Sequence, residues 1–439
     1  MRSQVGETIR SVIVFRDTSP PKAKVTARMR QTGERKIHSH FKMKLSSFLI
    51  IAALVASGVG NSTAYGFSID AEFPGGNIVV DKIDGTRVFL HQDLCDTEGD
   101  WFYWHFRVRD AEGQTLTFEF TQSNVIGVMG PAISRDKGLT WSWLGSASVH
   151  EQSFPYTFGE TDRDIRFCFA IPYLEADLQR FLQRHSGNSH LRVTTLCQSR
   201  KGRAVEKLHL GRIDGPCDYR VLLTCRHHAC EMIASYVLEG IMESVLTGDD
   251  EDAWLRENVE FVAIPFMDKD GVEEGDQGKN RKPRDHNRDY LGESLYPSVK
   301  ALRTFVPRWS QGTLRIAVDL HDPYIRGTHN EWIYFVGGPN QDIWNHVQQF
   351  SSILASVQSG PLLYDPKNNL PFGQAWNNGE NYDKGKSCAR WASELPGIRV
   401  ATSLEIPYAQ SSGTPVSAEN AKAFGVDLAK AIARYLQAK

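Results

Sequence analysis

The sequence predicts two folded parts, an antiparallel β-sandwich and, after it, an α/β domain built on a mixed sheet. Three observations carry this. From about Phe67 to Pro172 the chain is a series of short runs rich in aromatic and β-branched residues, separated by turn residues. After Pro172 apolar residues recur at helical spacing, and strands then alternate with helices. The 439 residues, 41% hydrophobic and 23% charged, are ordinary globular composition and enough for two or three domains.

Residues 1–64 carry 11 Lys/Arg against 3 Asp/Glu, and 65–439 carry 39 against 49, so a segment of +8 precedes a chain of −10. The formal total of −2 gives no global basic field, which argues against a nucleic-acid partner. Met43-Lys44, the uncharged run Leu45 to Val59 and the small residues ending at Ala64 have the layout of a secretory signal peptide. The run is too short for a stable membrane span. Residues 1–42 then read as an upstream extension of the gene model, 43–64 as the leader, and the location as secreted or periplasmic. The seven cysteines are an odd number, and their spacing is not that of a disulfide scaffold.

Within 65–180, the expected sandwich, Arg87–Leu90, Trp101–Val108, Leu116–Phe120 and Arg166–Ala170 read as strands, with Asp110-Ala111-Glu112-Gly113 as a turn. Trp101 and Trp104 read as core aromatics. Tyr173–Leu182 reads as a helix, and the boundary falls in or just after it. Within 181–439, Arg192–Cys197, Tyr219–Thr224, Phe261–Pro265 and Leu314–Leu320 read as strands. Met232–Leu246 reads as a helix because Ile233, Val237, Ile241 and Val245 recur every four residues. A last helix carries the stripe Phe424, Leu428, Ile432 and Tyr435.

The chemistry concentrates at strand ends. His228 and Glu231 form a His-x-x-Glu pair where one strand gives way to a helix, and His321 ends the strand Leu314–Leu320. Two His and one Glu leave an open coordination position on zinc, the catalytic rather than the structural pattern. Cys225 and Cys230 offer a rival ligand pair with His227 or His228, although no second Cys cluster accompanies them. Asp319 and Asp322 flank His321, and either is suited to orient an imidazole. Asp268-Lys269-Asp270-Gly271, Asn287-Arg288 and Glu405 at the end of an apolar strand complete the set.

In this order the segments resemble the zinc carboxypeptidases of the funnelin type, the carboxypeptidase A superfamily, from about Leu191 to the C-terminus. The closer resemblance is to the cytosolic carboxypeptidase-like branch, which places a β-sandwich ahead of its catalytic domain. Trp101–Val108, Phe118-Glu119-Phe120 and Gly127–Pro131 look like that module. The resemblance implies a zinc carboxypeptidase fold for the mixed-sheet domain and one Zn²⁺ per chain on His228, Glu231 and His321. It implies Glu405 as general base and acid, and Asn287 and Arg288 as the binders of a peptide's free C-terminal carboxylate. Arg281 matches the cation that polarises the scissile carbonyl, with Arg284 and Lys279 open for the same role. Tyr382 stands where the family has a mobile tyrosine. The stretch Lys384–Trp391, upstream of Glu405, implies a pocket that prefers acidic C-terminal residues, with Arg390 as its reader. A small-molecule amidohydrolase of the aspartoacylase or succinylglutamate desuccinylase type and an inactive peptide-binding relative are the competing readings. The Asn287-Arg288 pair and the sandwich weigh against the first, and the full ligand set with Glu405 against the second.

Overall fold

Aromatic side chains at every second position give the first part its core. The computed structural model describes residues 66–248 and 250–438, and the leader and upstream extension expected over residues 1–64 lie outside them. Nine strands form two sheets: β1 (Ser68–Asp70), β2 (Val79–Asp84), β3 (Arg87–His91), β4 (His105–Arg109), β5 (Thr115–Phe120), β6 (Ala132–Ser134), β7 (Ser142–Trp143), β8 (Ser153–Thr157) and β9 (Asp164–Cys168). Their orders are β1-β4-β9-β6-β7 and β2-β3-β5-β8. Leu116, Phe118 and Phe120 of β5 point inward while the residues between them do not. Phe118 meets Phe106 at 5.2 Å and Phe167 at 5.4 Å between ring centroids, so the two sheets close on one aromatic layer.

Two expectations need correction. The second sheet is not purely antiparallel, because β3 and β5 run parallel. Periodicity of two fixes which face a residue takes but not the direction of its partner strand. The strand expected from Trp101 begins only at His105. The backbone of Tyr103 instead bonds the side chain of Gln277, with its N–H 2.6 Å from Oε1 and its carbonyl accepting from Nε2 at 2.9 Å. Trp104 is fully buried in the sandwich core, whereas Trp101 is only half-buried at its edge.

Helix α1 (Glu175–Arg184) follows, so the boundary expected at residue 180 falls inside a helix. The second part contains β10 (Leu191–Gln198), β11 (Ala204–Gly211), β12 (Tyr219–Cys225), α2 (Ile233–Thr247), α3 (Asp250–Asn258), β13 (Val259–Ile264), α4 (Lys269–Glu274) and α5 (Pro297–Ser310). It continues with β14 (Leu314–His321), β15 (Tyr334–Val336), α6 (Gln341–Val357), α7 (Gly379–Asp383), α8 (Cys388–Ala392), β16 (Val400–Glu405) and α9 (Ala418–Gln437). The sheet order is β10-β11-β13-β12-β14-β16-β15. The central strands β13, β12, β14 and β16 are parallel and the outer ones antiparallel, which is the mixed sheet expected. Every residue of β13 is buried, as a strand covered on both faces requires.

Helix α2 is buried almost all round because α9 crosses it backbone to backbone. A Cβ on Gly240 would lie 2.1 Å from the Lys422 carbonyl oxygen, and one on Gly425 would lie 2.2 Å from that of Val237. This crossing fixes the helix whose first turn follows Glu231. All seven cysteines are unpaired. Among the described residues, no helix is long and apolar enough to cross a membrane.

Candidate active site

Three neighbouring strands end together. Thr224 lies opposite Asp319 in the β12–β14 register, and His321 lies opposite Glu405 between β14 and β16. Crevices at the carboxyl ends of parallel strands are where open α/β sheets bind ligands. The chain leaves β12 through Arg226, held at φ 58° and fully buried. Its guanidinium donates to the Tyr173 carbonyl at 2.7 Å and to the Ala229 carbonyl at 3.1 Å, which holds this left-handed turn in place. Asp322 then accepts from the Ile233 and Ala234 N–H groups, both at 2.8 Å. It thereby caps α2 from the end of β14. Asp322 is a helix cap, and Asp319 is the one that orients an imidazole.

Glu231 is the centre of the cluster. Its Oε1 lies 2.9 Å from His228 Nδ1 and 2.7 Å from Lys279 Nζ, and its Oε2 lies 2.6 Å from His321 Nδ1. Burial alone would raise its pKa, but His228, Lys279 and His321 outweigh that and hold it well below the usual carboxylate range. Behind His321, Nε2 lies 2.6 Å from Asp319 Oδ2. Asp319 also accepts from Thr224 Oγ1 at 2.7 Å and faces His227 Nδ1 at 2.7 Å. Against its burial, the two histidines keep Asp319 strongly acidic. His228 turns Nε2 toward Asp285 at 3.7 Å.

This wiring tests whether the residues suit a metal. A proton on Nε2 of His321, shared with Asp319, leaves a lone pair on Nδ1 facing a carboxylate oxygen. A second proton on Nδ1, or a divalent cation in its place, joins the pair. The ligand atoms of His228, Glu231 and His321 lie within 4.8 Å of one another, and all three residues are buried. The donor set therefore fits a divalent cation, with nitrogen and oxygen ligands of the kind zinc takes. A second group, His227 with Asp319 and Cys388, is equally close, but both nitrogens of His227 are already engaged, by Asp319 and by Tyr290 OH at 2.7 Å. Cys225 and Cys230 belong to neither group.

His228, Glu405, Asn287, Arg288, Tyr382 and Arg390 line one cavity of about 340 Å³, together with His321 and Lys279. Glu405 is buried, its Oε2 has no hydrogen-bond partner, and burial pushes its pKa up. Asn287 accepts from the Cys388 N–H at 2.8 Å and faces His321 Nε2 at 3.1 Å. Arg288 donates to Asn381 Oδ1 at 2.7 Å and to the Asn287 carbonyl at 2.9 Å. The guanidinium of Arg390 lies 4.8 Å from the Tyr382 ring centroid.

Of the expected residues, Glu231 and Arg281 are not part of the cavity lining, and Arg281 lies in a different place altogether. Its guanidinium is taken by Asp268 at 2.6 Å, Asp276 at 2.5 Å and Asp96 at 3.0 Å, in a separate pocket. The cation beside the candidate ligands is Lys279, two residues earlier, with its Nζ 2.7 Å from Glu231. Of the acids that capture Arg281, Asp276 is five residues away, Asp268 caps α4 and Asp96 comes from the sandwich, so the local sequence does not separate the two cations.

Residues 174–328 match the zinc carboxypeptidase family model. This segment is thus similar to a zinc carboxypeptidase domain. The chain is similar to cytosolic carboxypeptidase 6 of Caenorhabditis elegans, with 26% identity over 57% of this chain and 61% of the relative. It is also similar to cytosolic carboxypeptidase 2 of Xenopus tropicalis, with 26% identity over 50% of this chain and 26% of the relative. The chain thus spans less than two thirds of the length of these relatives. In fold, the chain resembles a metallo-carboxypeptidase from Burkholderia cenocepacia, with TM-score 0.69, 18% identity and coverage of 84% of this chain and 98% of that one. A metallo-carboxypeptidase from Pseudomonas aeruginosa gives TM-score 0.67 at 22% identity, covering 84% and 99%. Both matches extend over the sandwich as well as the catalytic sheet.

The acids around Arg281 leave a pH signature. Asp276 is pushed up from 3.8 to about 6, chiefly by burial. Between those values the folded chain binds the proton more tightly than the unfolded chain does, so stability falls as pH rises through the window. Asp276→Asn should flatten the decline in thermal midpoint between pH 4 and 6, a contribution of at most about 3 kcal/mol. Thermal unfolding across that range reads the slope directly, and an unchanged slope contradicts the assignment.

Proposed function

We propose that this chain is a zinc-dependent metallocarboxypeptidase that removes the C-terminal residue of a peptide. One observation carries the reading. His228, Glu231 and His321 turn their ligand atoms on one point, beside a buried Glu405 with a free oxygen, in the cavity that also holds Arg288. These three residues would hold one zinc ion. When bound, zinc supplies a Lewis acid and brings the pKa of its water to about 7.

The chain's own residues do the rest. Glu405 accepts the water's proton at Oε2 and passes it to the leaving amine, and the raised pKa that burial gives it suits both halves of that task. Arg288 binds the free carboxylate with its planar fork, and Asn381 and the Asn287 carbonyl preset the fork's direction. Asn287 stands beside it, its Oδ1 accepting from the Cys388 N–H. Asp319 fixes the His321 ring, and His227 and Thr224 fix Asp319. Tyr382 forms a wall of the cavity rather than a ligand to the cluster.

Acidic C-terminal residues are the preferred substrates in this reading. Of the three cations in Lys384–Trp391, Lys386 is neutralised by Glu394 at 2.7 Å, whereas Arg390 lies on the Tyr382 ring in the cavity wall. Charge complementarity at a closed pocket governs which partner is accepted.

Glu405→Gln should keep the metal and lose at least about 10²-fold in kcat on blocked dipeptides. A variant with wild-type kcat removes Glu405 from the role. In peptides that differ only in the last residue, release of Glu should exceed release of Leu and Lys, and Arg390→Ala should erase that order. Equal or faster release of Lys overturns the preference, and an unchanged Glu rate in the variant clears Arg390.

A further inference from the structure

The segment that carries Lys279 and Arg281 is held by the sandwich. Asn77 donates through Nδ2 to the Gly275 carbonyl at 2.6 Å, Gln277 bonds both backbone groups of Tyr103, and the Lys282 N–H donates to the Asp96 carbonyl at 3.0 Å. Thr97 and Arg281 form an isolated β-bridge. The other side of the segment lies on the turn between His228 and Glu231. At Gly278, φ is +74° and an added Cβ would lie 2.2 Å from the Ala229 nitrogen, so only glycine fits.

Clamped in this way, the segment delivers two cations to two places. Arg281 enters the acid pocket, where three carboxylates occupy its fork. Lys279 enters the catalytic cavity, its Nζ 2.7 Å from Glu231 and 5.4 Å from the ring centroid of Trp101. Trp101 belongs to the sandwich segment that does not form a strand, and a cation over an indole face is attracted to it. An ammonium has three N–H donors, and Glu231 takes one.

We propose that Lys279, positioned by Trp101, is the group that polarises the scissile carbonyl and stabilises the charge that develops on its oxygen. The proposal rests on the carboxypeptidase reading and moves one role from Arg281 to Lys279. The water oxygen bonds to the carbonyl carbon, its proton passes to Glu405, and the C=O π pair moves onto the oxygen facing Lys279. When that pair returns, the C–N bond breaks and the amine leaves with the proton from Glu405. The carboxylic acid formed then releases its own proton. Lys279 gains nothing and loses nothing in the cycle. It acts through a charge placed before the reaction begins, which is the most effective way to lower such a barrier. Trp101 is a positioning residue, and the sandwich is part of the active site.

The test compares zinc-loaded wild type with Lys279→Met, Lys279→Arg and Arg281→Lys. Each is measured for metal content, thermal midpoint, kcat, KM and affinity for a phosphonate analogue of the tetrahedral state. Lys279→Met should keep its metal and its KM within a few-fold. It should lose about 10²- to 10³-fold in kcat, and affinity for the phosphonate should fall by a similar factor. Lys279→Arg, which keeps the charge, should be at least about tenfold faster than Lys279→Met, and this comparison holds even where the methionine variant is poorly folded. Trp101→Ala should lower kcat with little change in KM. Loss of metal from Lys279→Met with no kinetic defect after reloading would show that Lys279 only steadies Glu231, and overturn the proposal. So would a hundredfold loss of kcat in a folded, zinc-loaded Arg281→Lys. Absence of hydrolysis by the wild type itself would fail the carboxypeptidase reading instead, which separates the two.

Discussion

A fully buried carboxylate between two imidazoles and an ammonium is the constraint on which the surrounding structure depends. Glu231 is stable there only while opposite charge faces both its oxygens. The strand ends, the left-handed turn at Arg226 and the cap that Asp322 places on α2 keep those partners in position. The glycine crossing of α2 and α9 then fixes the helix that Glu231 introduces. Packing far from the cavity thus determines the geometry of the ligands.

The same economy explains the order of the elements. Parallel strands in register place His321 and Glu405 side by side although they are 84 positions apart in sequence. The proposed ligand and the proposed general base therefore need no dedicated loop to bring them together. Asp319 and His321, two residues apart on β14, share one face and support each other.

Much of this was legible in the sequence because the signals were local. The apolar runs of β12 and β14 identified buried strands, the four-residue repeat identified α2, and the residues at the strand ends supplied the candidate ligands that the structure brings together. What was not legible depended on distant partners. The acids that capture Arg281 lie at Asp96, Asp268 and Asp276, and no spacing rule links the first to the others. Trp101–Trp104 has the composition of a strand, yet the backbone of Tyr103 bonds the side chain of Gln277, 174 residues away. The parallel pairing of β3 and β5 is invisible for a similar reason, since alternation specifies a face and not a neighbour. In each case the missing information was a contact between the sandwich and the catalytic sheet, or between strands of unknown direction.

The central claim is that His228, Glu231 and His321 hold one zinc ion. Elemental analysis of the purified chain and of a His321→Ala variant, with circular dichroism to confirm the fold, tests it most directly. The account predicts close to one zinc per chain in the wild type and little in the folded variant. A full complement of zinc in His321→Ala, or none in a folded wild type given zinc, would contradict it.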